Sequence, residues 1–290
     1  MARGLDHIVH AVRDLDAAAA LYGRLGFKAG ARNRHAPAWG TQNHVVQLRG
    51  CFIELLGIAD ATHIAPHAPD HFSFGAHNRD FLVRGQGLSM LVLEGHDTAA
   101  EAAAFRTAGI GDFKTFDFER NAKRPDGSPV KVAFSLAFAR DPNAPDIGFF
   151  TCRQHYPENF WNPAFQVHGN TATGIAGVVL VAEKPADHHV FLSAFTGERE
   201  MLATSAGITL KTPRGDIAVM NSTAFTDHFG VPPPDIARSA RLAAVRFAVR
   251  DRDQAAAELA RGEVAFSMQR AGLVVGPQAA LGATLVFETA

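Results

Sequence analysis

Only two cysteines, Cys51 and Cys152, occur in the 290 residues, too few for a disulfide-stapled secreted fold or a cysteine-rich zinc site. Tyrosine and tryptophan are also scarce, at two each against 22 phenylalanines, so apolar interior surfaces carry few phenolic donors. Neither sign of charge dominates: 28 Lys and Arg oppose 29 Asp and Glu, a net charge of −1. A sequence-independent nucleic-acid binder needs a surplus of cations, and no block of like charge suggests an acidic tail or basic arm. The longest apolar run, near 174–182, ends at Glu183 and Lys184 and is too short to span a bilayer. Asp6 and His7 stand where a signal peptide would carry its apolar core. These absences predict a cytoplasmic protein that binds neither nucleic acid nor membrane.

What the chain does contain is a repeat. Four times an apolar β-like stretch is followed by a small polar or acidic break and then an alanine-rich helix, beginning at Leu5, Leu88, Ile175 and Leu242. Asp14, Asp97 and Asp251 are placed to cap helices. Gly26, Gly109, Gly197 and Gly262 sit where helices stop, since glycine tolerates the left-handed backbone. Further β-like stretches follow each helix: 28–34, 43–48 and 51–56; 113–120, 130–138 and 147–153; 208–212 and 216–220; 266–271 and 283–287. Turns are expected at Pro125-Asp126-Gly127, Pro213-Arg214-Gly215 and Gly276-Pro277. The fold class is α+β, built from four β-α-β-β-β modules.

The opening Leu5-Asp6-His7-Ile8-Val9-His10, with Leu21-Tyr22-Gly23-Arg24-Leu25-Gly26-Phe27, resembles the vicinal oxygen chelate superfamily. Gly40-Thr41-Gln42-Asn43-His44 and Phe52-Ile53-Glu54-Leu55-Leu56-Gly57 look like its glyoxalase-like subgroup. The resemblance implies that modules pair around curved sheets. A first domain is expected over 1–165 (modules 1–59 and 87–160) with the active-site cavity. A second, structural or lid-like, is expected over 170–290 (modules 173–225 and 240–290).

Side chains alternate along a strand, so His7, Val9 and Ala11 share one face and Ile8, His10 and Val12 the other. Glu54, between Ile53 and Leu55, is costly to bury unless a metal ion or a cation pairs with it. The resemblance implies ligands on the first and fourth strands, where His7 and Glu54 stand. That pair suits Fe, Mn, Zn, Ni or Co, with a metal-free cavity as the other outcome. Corresponding first-strand positions in the other modules are Met90, Gly177 and Ala244, while Glu288 matches the last strand's carboxylate position. The third ligand is therefore expected from the stretch after the second module, from His155 or Glu158. A packed connection between domains is the plainer reading of that stretch.

The pocket is expected to include Arg13, Asn43, Phe52, Met90, Phe150, Cys152 and Glu158. Arg13, Arg120 and Lys131 are cations able to hold a carboxylate. His10 is expected to pack against a helix. His63, His67, His71 and His77 are assigned to a covering loop, because Pro66 and Pro69 interrupt any helix. Cys152 reads as a small buried apolar residue rather than a nucleophile.

The expected activity is a metal-dependent isomerase or lyase acting on a small molecule with vicinal oxygens, with Glu54 as ligand or general base. A ring-cleaving dioxygenase needs two histidines and a carboxylate, which His155 would complete. A non-catalytic protein that sequesters small molecules is the third reading, favoured by Met90, Gly177 and Ala244. The partner is a small-molecule substrate, and a homodimer is the assembly allowed for.

Overall fold

The structure is a computed structural model that describes residues 1–123 and 127–289. Its helices are α1 (Leu15–Arg24), α2 (Phe74–Arg84), α3 (Thr98–Thr107), α4 (Pro157–Phe160), α5 (His189–Thr196), α6 (Ser222–Phe229) and α7 (Arg252–Arg261). Asp14, Asp97 and Asp251 each accept a hydrogen bond from the backbone N–H of Ala17, Ala100 and Gln254, starting α1, α3 and α7 as their positions predicted. Gly26, Gly109 and Gly197 take left-handed backbone, at φ +85°, +70° and +77°. Gly262 does not; Glu263 takes the positive φ instead. What Gly262 supplies is space, since a Cβ there would run into the Arg24 carbonyl where α7 meets α1.

Strands β1 (Leu5–Ala11), β2 (Asn33–Arg34), β3 (Thr41–Gln47), β4 (Phe52–Ile58), β5 (Gly87–Glu94), β6 (Phe116–Lys123), β7 (Pro129–Ala139) and β8 (Gly148–Gln154) form one sheet, in the order β2-β3-β4-β1-β5-β8-β7-β6. Strands β9 (Ala172–Val181), β10 (Met201–Thr204), β11 (Gly207–Lys211), β12 (Asp216–Met220), β13 (Arg241–Val249), β14 (Ser267–Gln269), β15 (Gly272–Val275) and β16 (Thr284–Thr289) repeat it as β10-β11-β12-β9-β13-β16-β15-β14. Within a module the first and fourth strands run parallel; between paired modules the first strands meet antiparallel, as in β1 with β4 and β5. The α+β architecture of paired modules is thus the one expected.

Several details differ. The 28–34 stretch contracts to β2, and β10 is a strand the apolar pattern missed because most of it is exposed. The 266–271 stretch contracts to β14 and a turn, and β15, which was not expected, begins beyond it at Gly272, φ +123°. The segment expected to be only a covering loop contains α2, which starts after both prolines where Ser73 accepts from the Ala76 N–H. His77 is therefore helical, and its Nε2 lies 3.3 Å from the Ser89 carbonyl. Pro125 and Asp126 of the expected turn lie outside the described residues.

One face of each sheet packs into a shared core with α1, α3, α5 and α7. Phe27 touches Phe247, with centroids 4.9 Å apart, and Phe149 touches Phe191 at 4.7 Å. His10 points into this core, bonding the Tyr22 hydroxyl at 3.0 Å and the Leu281 carbonyl at 3.1 Å, so it packs against α1 as expected. The opposite face of the first sheet curls around a cavity. On the second sheet that face is filled: Phe225 and Phe229 of α6 pack on Val179, Ala244 and Val286. No helix among the described residues is long and apolar enough to cross a membrane.

Candidate functional site

Parallel pairing of β1 with β4 sets Val9 opposite Glu54 and His7 opposite Phe52. His7 and Glu54 therefore stand diagonally on one face, with Nε2 3.8 Å from Oε2, and both are buried. The His7 ring stacks on Phe52 at 4.2 Å between centroids, and Phe150 meets it edge-on at 5.6 Å. The β1–β5 ladder shifts register between Leu5 and His7, so Asp6 is the extra residue of a bulge. Such an irregularity re-aims a side chain. Asp6 uses it to bond its own neighbour: Oδ1 lies 2.5 Å from His7 Nδ1, while Gln154 donates to Oδ2 at 3.0 Å. A carboxylate accepting that bond fixes the proton of a neutral His7 on Nδ1 and leaves the Nε2 lone pair facing the cavity.

A second imidazole reaches the same place. His35 follows β2, with Nε2 3.6 Å from Glu54 Oε1 and Nδ1 2.7 Å from the Thr41 hydroxyl. Asn43 on β3 ties the group together. Its amide donates to Glu54 Oε1 at 2.6 Å and to His35 Nε2 at 3.1 Å, and its carbonyl accepts from Asn33 at 3.3 Å. An amide nitrogen only donates, so His35 Nε2 accepts and Nδ1–H points to Thr41. Burial holds the His35 pKa below its ordinary 6.5; the nearby Glu54 opposes the shift and Arg120 adds to it. His35 is thus a neutral imidazole near pH 7.

The walls are aromatic. Trp39 stacks on Phe74 at 4.5 Å and on Phe118 at 5.5 Å, and Phe134, Phe150 and Phe160 complete the lining. Room for water-sized molecules amounts to about 70 Å³, enough for roughly five waters or the reacting end of a small organic molecule. Asn33, Val45, Arg120 and Phe160 also border a wider outer groove of about 640 Å³ in the same measure.

Of the sequence-expected residues, His7, Asn43, Phe52, Glu54, Phe150 and Cys152 line this cavity. Met90 does not: it is wholly buried behind the lining, beside Asn78 and Gly148. Arg13 is exposed elsewhere, donating to the Leu82 carbonyl at the end of α2. Glu158 borders only the outer groove. His155 sits in a separate depression beyond β7, where Nε2 lies 2.7 Å from the Ser135 hydroxyl, which in turn donates to Asp117. His155 directly follows β8, its N–H bonding the Ala133 carbonyl of β7 at 2.9 Å, and alternation from the inward-facing Phe150 and Cys152 puts it on the outward side. The residue that stands beside His7 and Glu54 is instead His35. Its irregular segment gave no strand parity to read, and only the short spacing to Asn43 hinted at a shared site.

Glu288 also needs correction. Val9 lies five residues before cap Asp14 and pairs with Glu54; Arg246 lies five before cap Asp251 and pairs with Val286. Val286 thus holds the Glu54 position, and Glu288, two residues on, forms a bidentate pair with Arg246 at 3.0 and 2.7 Å. Cys152 is buried among carboxylates, which pushes its thiol well above the ordinary range and makes it a poor nucleophile.

In kind, the donors at the cavity suit a divalent ion: two imidazoles and a carboxylate. Among the described residues, however, no three ligating side chains already surround one point, and the Asn43 amide occupies acceptor positions on both Glu54 and His35.

The sequence profile of the glyoxalase-like domain family matches residues 5–196. No curated protein matches the chain in sequence. A crystal structure of a hypothetical protein from Staphylococcus aureus superposes over 99% of this chain and 100% of its own, with TM-score 0.68 and 11% identity. A variant of 4-hydroxymandelate synthase from Streptomyces coelicolor aligns over 91% of this chain and 76% of its own, with TM-score 0.55 and 13% identity. Methylmalonyl-CoA epimerase from the same organism aligns with 53% of this chain and 99% of its own, at 16% identity and TM-score 0.37. At these identities the first two likenesses establish the fold.

Proposed function

The chain belongs to the glyoxalase-like domain family, and we propose that it is a divalent-metal-dependent isomerase or lyase acting on a small organic molecule with neighbouring oxygens. One observation supports this above the rest: His7, His35 and Glu54, from three separate segments, turn two imidazole nitrogens and a carboxylate toward one aromatic-walled cavity. Those residues would hold the ion, with His35 in the place first expected of His155. When bound, the ion would supply Lewis-acid polarisation of the substrate oxygens.

The chain's own groups have separable tasks. Asp6, steadied by Gln154, keeps His7 in one tautomer. Glu54 Oε2 carries no hydrogen bond from Asn43 and is the oxygen that would either hold the ion or, released from it, take a proton from substrate. Asn43 holds the other oxygen still. Trp39, Phe74 and Phe150 exclude bulk water, which strengthens each of these interactions.

A second reading, sequestration without turnover, is favoured by the hydrogen bonds that already satisfy Glu54 and His35. A two-histidine, one-carboxylate set would also serve a dioxygenase. Calorimetric titration of purified protein with Mn²⁺, Co²⁺ and Zn²⁺ separates the first two. We expect one site per chain, lost in His7→Ala, His35→Ala and Glu54→Ala and kept in His155→Ala. Absence of uptake with all three ions, or uptake unaffected by these changes, supports sequestration and overturns the metal enzyme.

A further inference from the structure

Arg120, on β6, is the cation of the cavity wall, and it borders the outer groove as well. It is half-buried beside aromatic side chains, yet no carboxylate among the described residues pairs with it. Its neighbours on the sheet show what pairing would look like: Glu119 is taken by Lys131, and Asp117 by Ser135. Glu158, the acidic residue of the outer groove, is exposed and makes no ion pair with Arg120. Burial accounts for the downward shift of the Arg120 pKa, and among the described residues no anion offsets the lost hydration. A partly desolvated guanidinium presents a planar fork of donors that a carboxylate fits in bidentate fashion.

The position adds direction. His35, Glu54 and His7 lie in the inner cavity, which has room for little more than a reacting group. Arg120 stands with Asn33, Val45 and Phe160 where that cavity opens into the groove. Phe160 borders both spaces, and Phe118 and Phe134 line the inner cavity beside it. A ligand satisfying all three zones has oxygens at one end, a flat apolar body and an anion at the other.

We propose that Arg120 is a specificity-determining residue that anchors the carboxylate of an aromatic carboxylic acid whose body lies against the phenylalanines of the cavity wall. This deepens the enzymatic reading of the same cavity and rests on it for the orientation of the ligand, but the charge preference is testable alone.

The test compares 3-phenylpropanoate with its neutral amide, 3-phenylpropanamide, by calorimetry and ligand-observed NMR on the full chain. Wild type is expected to prefer the acid by about tenfold or more, as one charge-assisted bond can supply. Arg120→Met should erase that preference, so that acid and amide bind alike, with the fold retained by circular dichroism. Arg120→Lys, which keeps the charge without the fork, should restore only part of it. His7→Ala should leave the preference intact even as metal uptake is lost. Equal binding of acid and amide, binding of neither, or a preference that survives Arg120→Met overturns the proposal. So does a preference lost in His7→Ala but kept in Arg120→Met, because the carboxylate then sits at the inner end. A chain that takes up no metal but shows the Arg120-dependent preference fails the metal reading and sustains this one.

Discussion

Asp6 shows how much a single residue can govern here. It touches no cavity space itself, yet its bond to Nδ1 decides which nitrogen of His7 faces inward. Asp6→Asn removes the accepting carboxylate but keeps the volume, and the amide can donate to Nδ1 and turn the proton to the wrong nitrogen. Outer partners of this type are worth about 10–100-fold in metal affinity. We therefore expect Mn²⁺ affinity to fall by that order in Asp6→Asn with the fold retained, as read by calorimetry and circular dichroism. Unchanged affinity would show that His7 holds its tautomer without help. His7 and Glu54 were legible because alternation fixes which strand residues share a face, and a lone carboxylate in an apolar strand demands a partner. His35 was not, because no periodicity governs the irregular segment that delivers it.

At the scale of elements, α2 and α6 follow the fourth strands of the first and third modules. Both cover a sheet, with different results. Phe74 at the start of α2 borders open cavity, whereas Phe225 and Phe229 of α6 are wholly buried and fill the second cup. Truncating a fully packed aromatic costs about 3–5 kcal/mol, whereas one that faces existing space costs less. Phe225→Ala should thus lower unfolding free energy by about that amount in urea titrations, and Phe74→Ala by clearly less. Equal losses would mean the first cavity is as tightly packed as the second. The helix starts at Asp14, Asp97 and Asp251 were readable because capping is local chemistry. Helices α2 and α6 were not: their turns alternate polar and aromatic residues, and what stabilises them is the sheet beneath.

For the molecule as a whole, two buried histidines set a pH dependence. Burial lowers His10 and His77 to about 4 from the ordinary 6.5. Below 6.5 the unfolded chain binds protons that the folded one refuses, so acid favours unfolding. The stabilisation is complete above pH 6.5 and is eroded as pH falls toward 4. Each histidine contributes at most on the order of 3 kcal/mol. His10 also links the two sheets through the Leu281 carbonyl, so its protonation loosens the shared core. The melting temperature should fall steadily from pH 7 to 4.5, and His10→Gln should flatten that slope. An unaltered slope in that variant would assign the acid sensitivity elsewhere.

The fourfold repeat sufficed for the module order and the helix caps, because each depends on near neighbours along the chain: a cap with its first turn, a strand with its own alternation. The pairing of modules came from the family resemblance. The convergence of His7 and Glu54 came with the same resemblance, which implies ligands on the first and fourth strands, and the parallel β1–β4 ladder brings them together. Tertiary structure alone decided that His35 rather than His155 stands beside them, that the second sheet is plugged by phenylalanine, and that Arg120 stands at the cavity mouth with no carboxylate partner among the described residues. Those outcomes depend on which segments meet across a curled sheet, and spacing along the chain carries no information about distances across it.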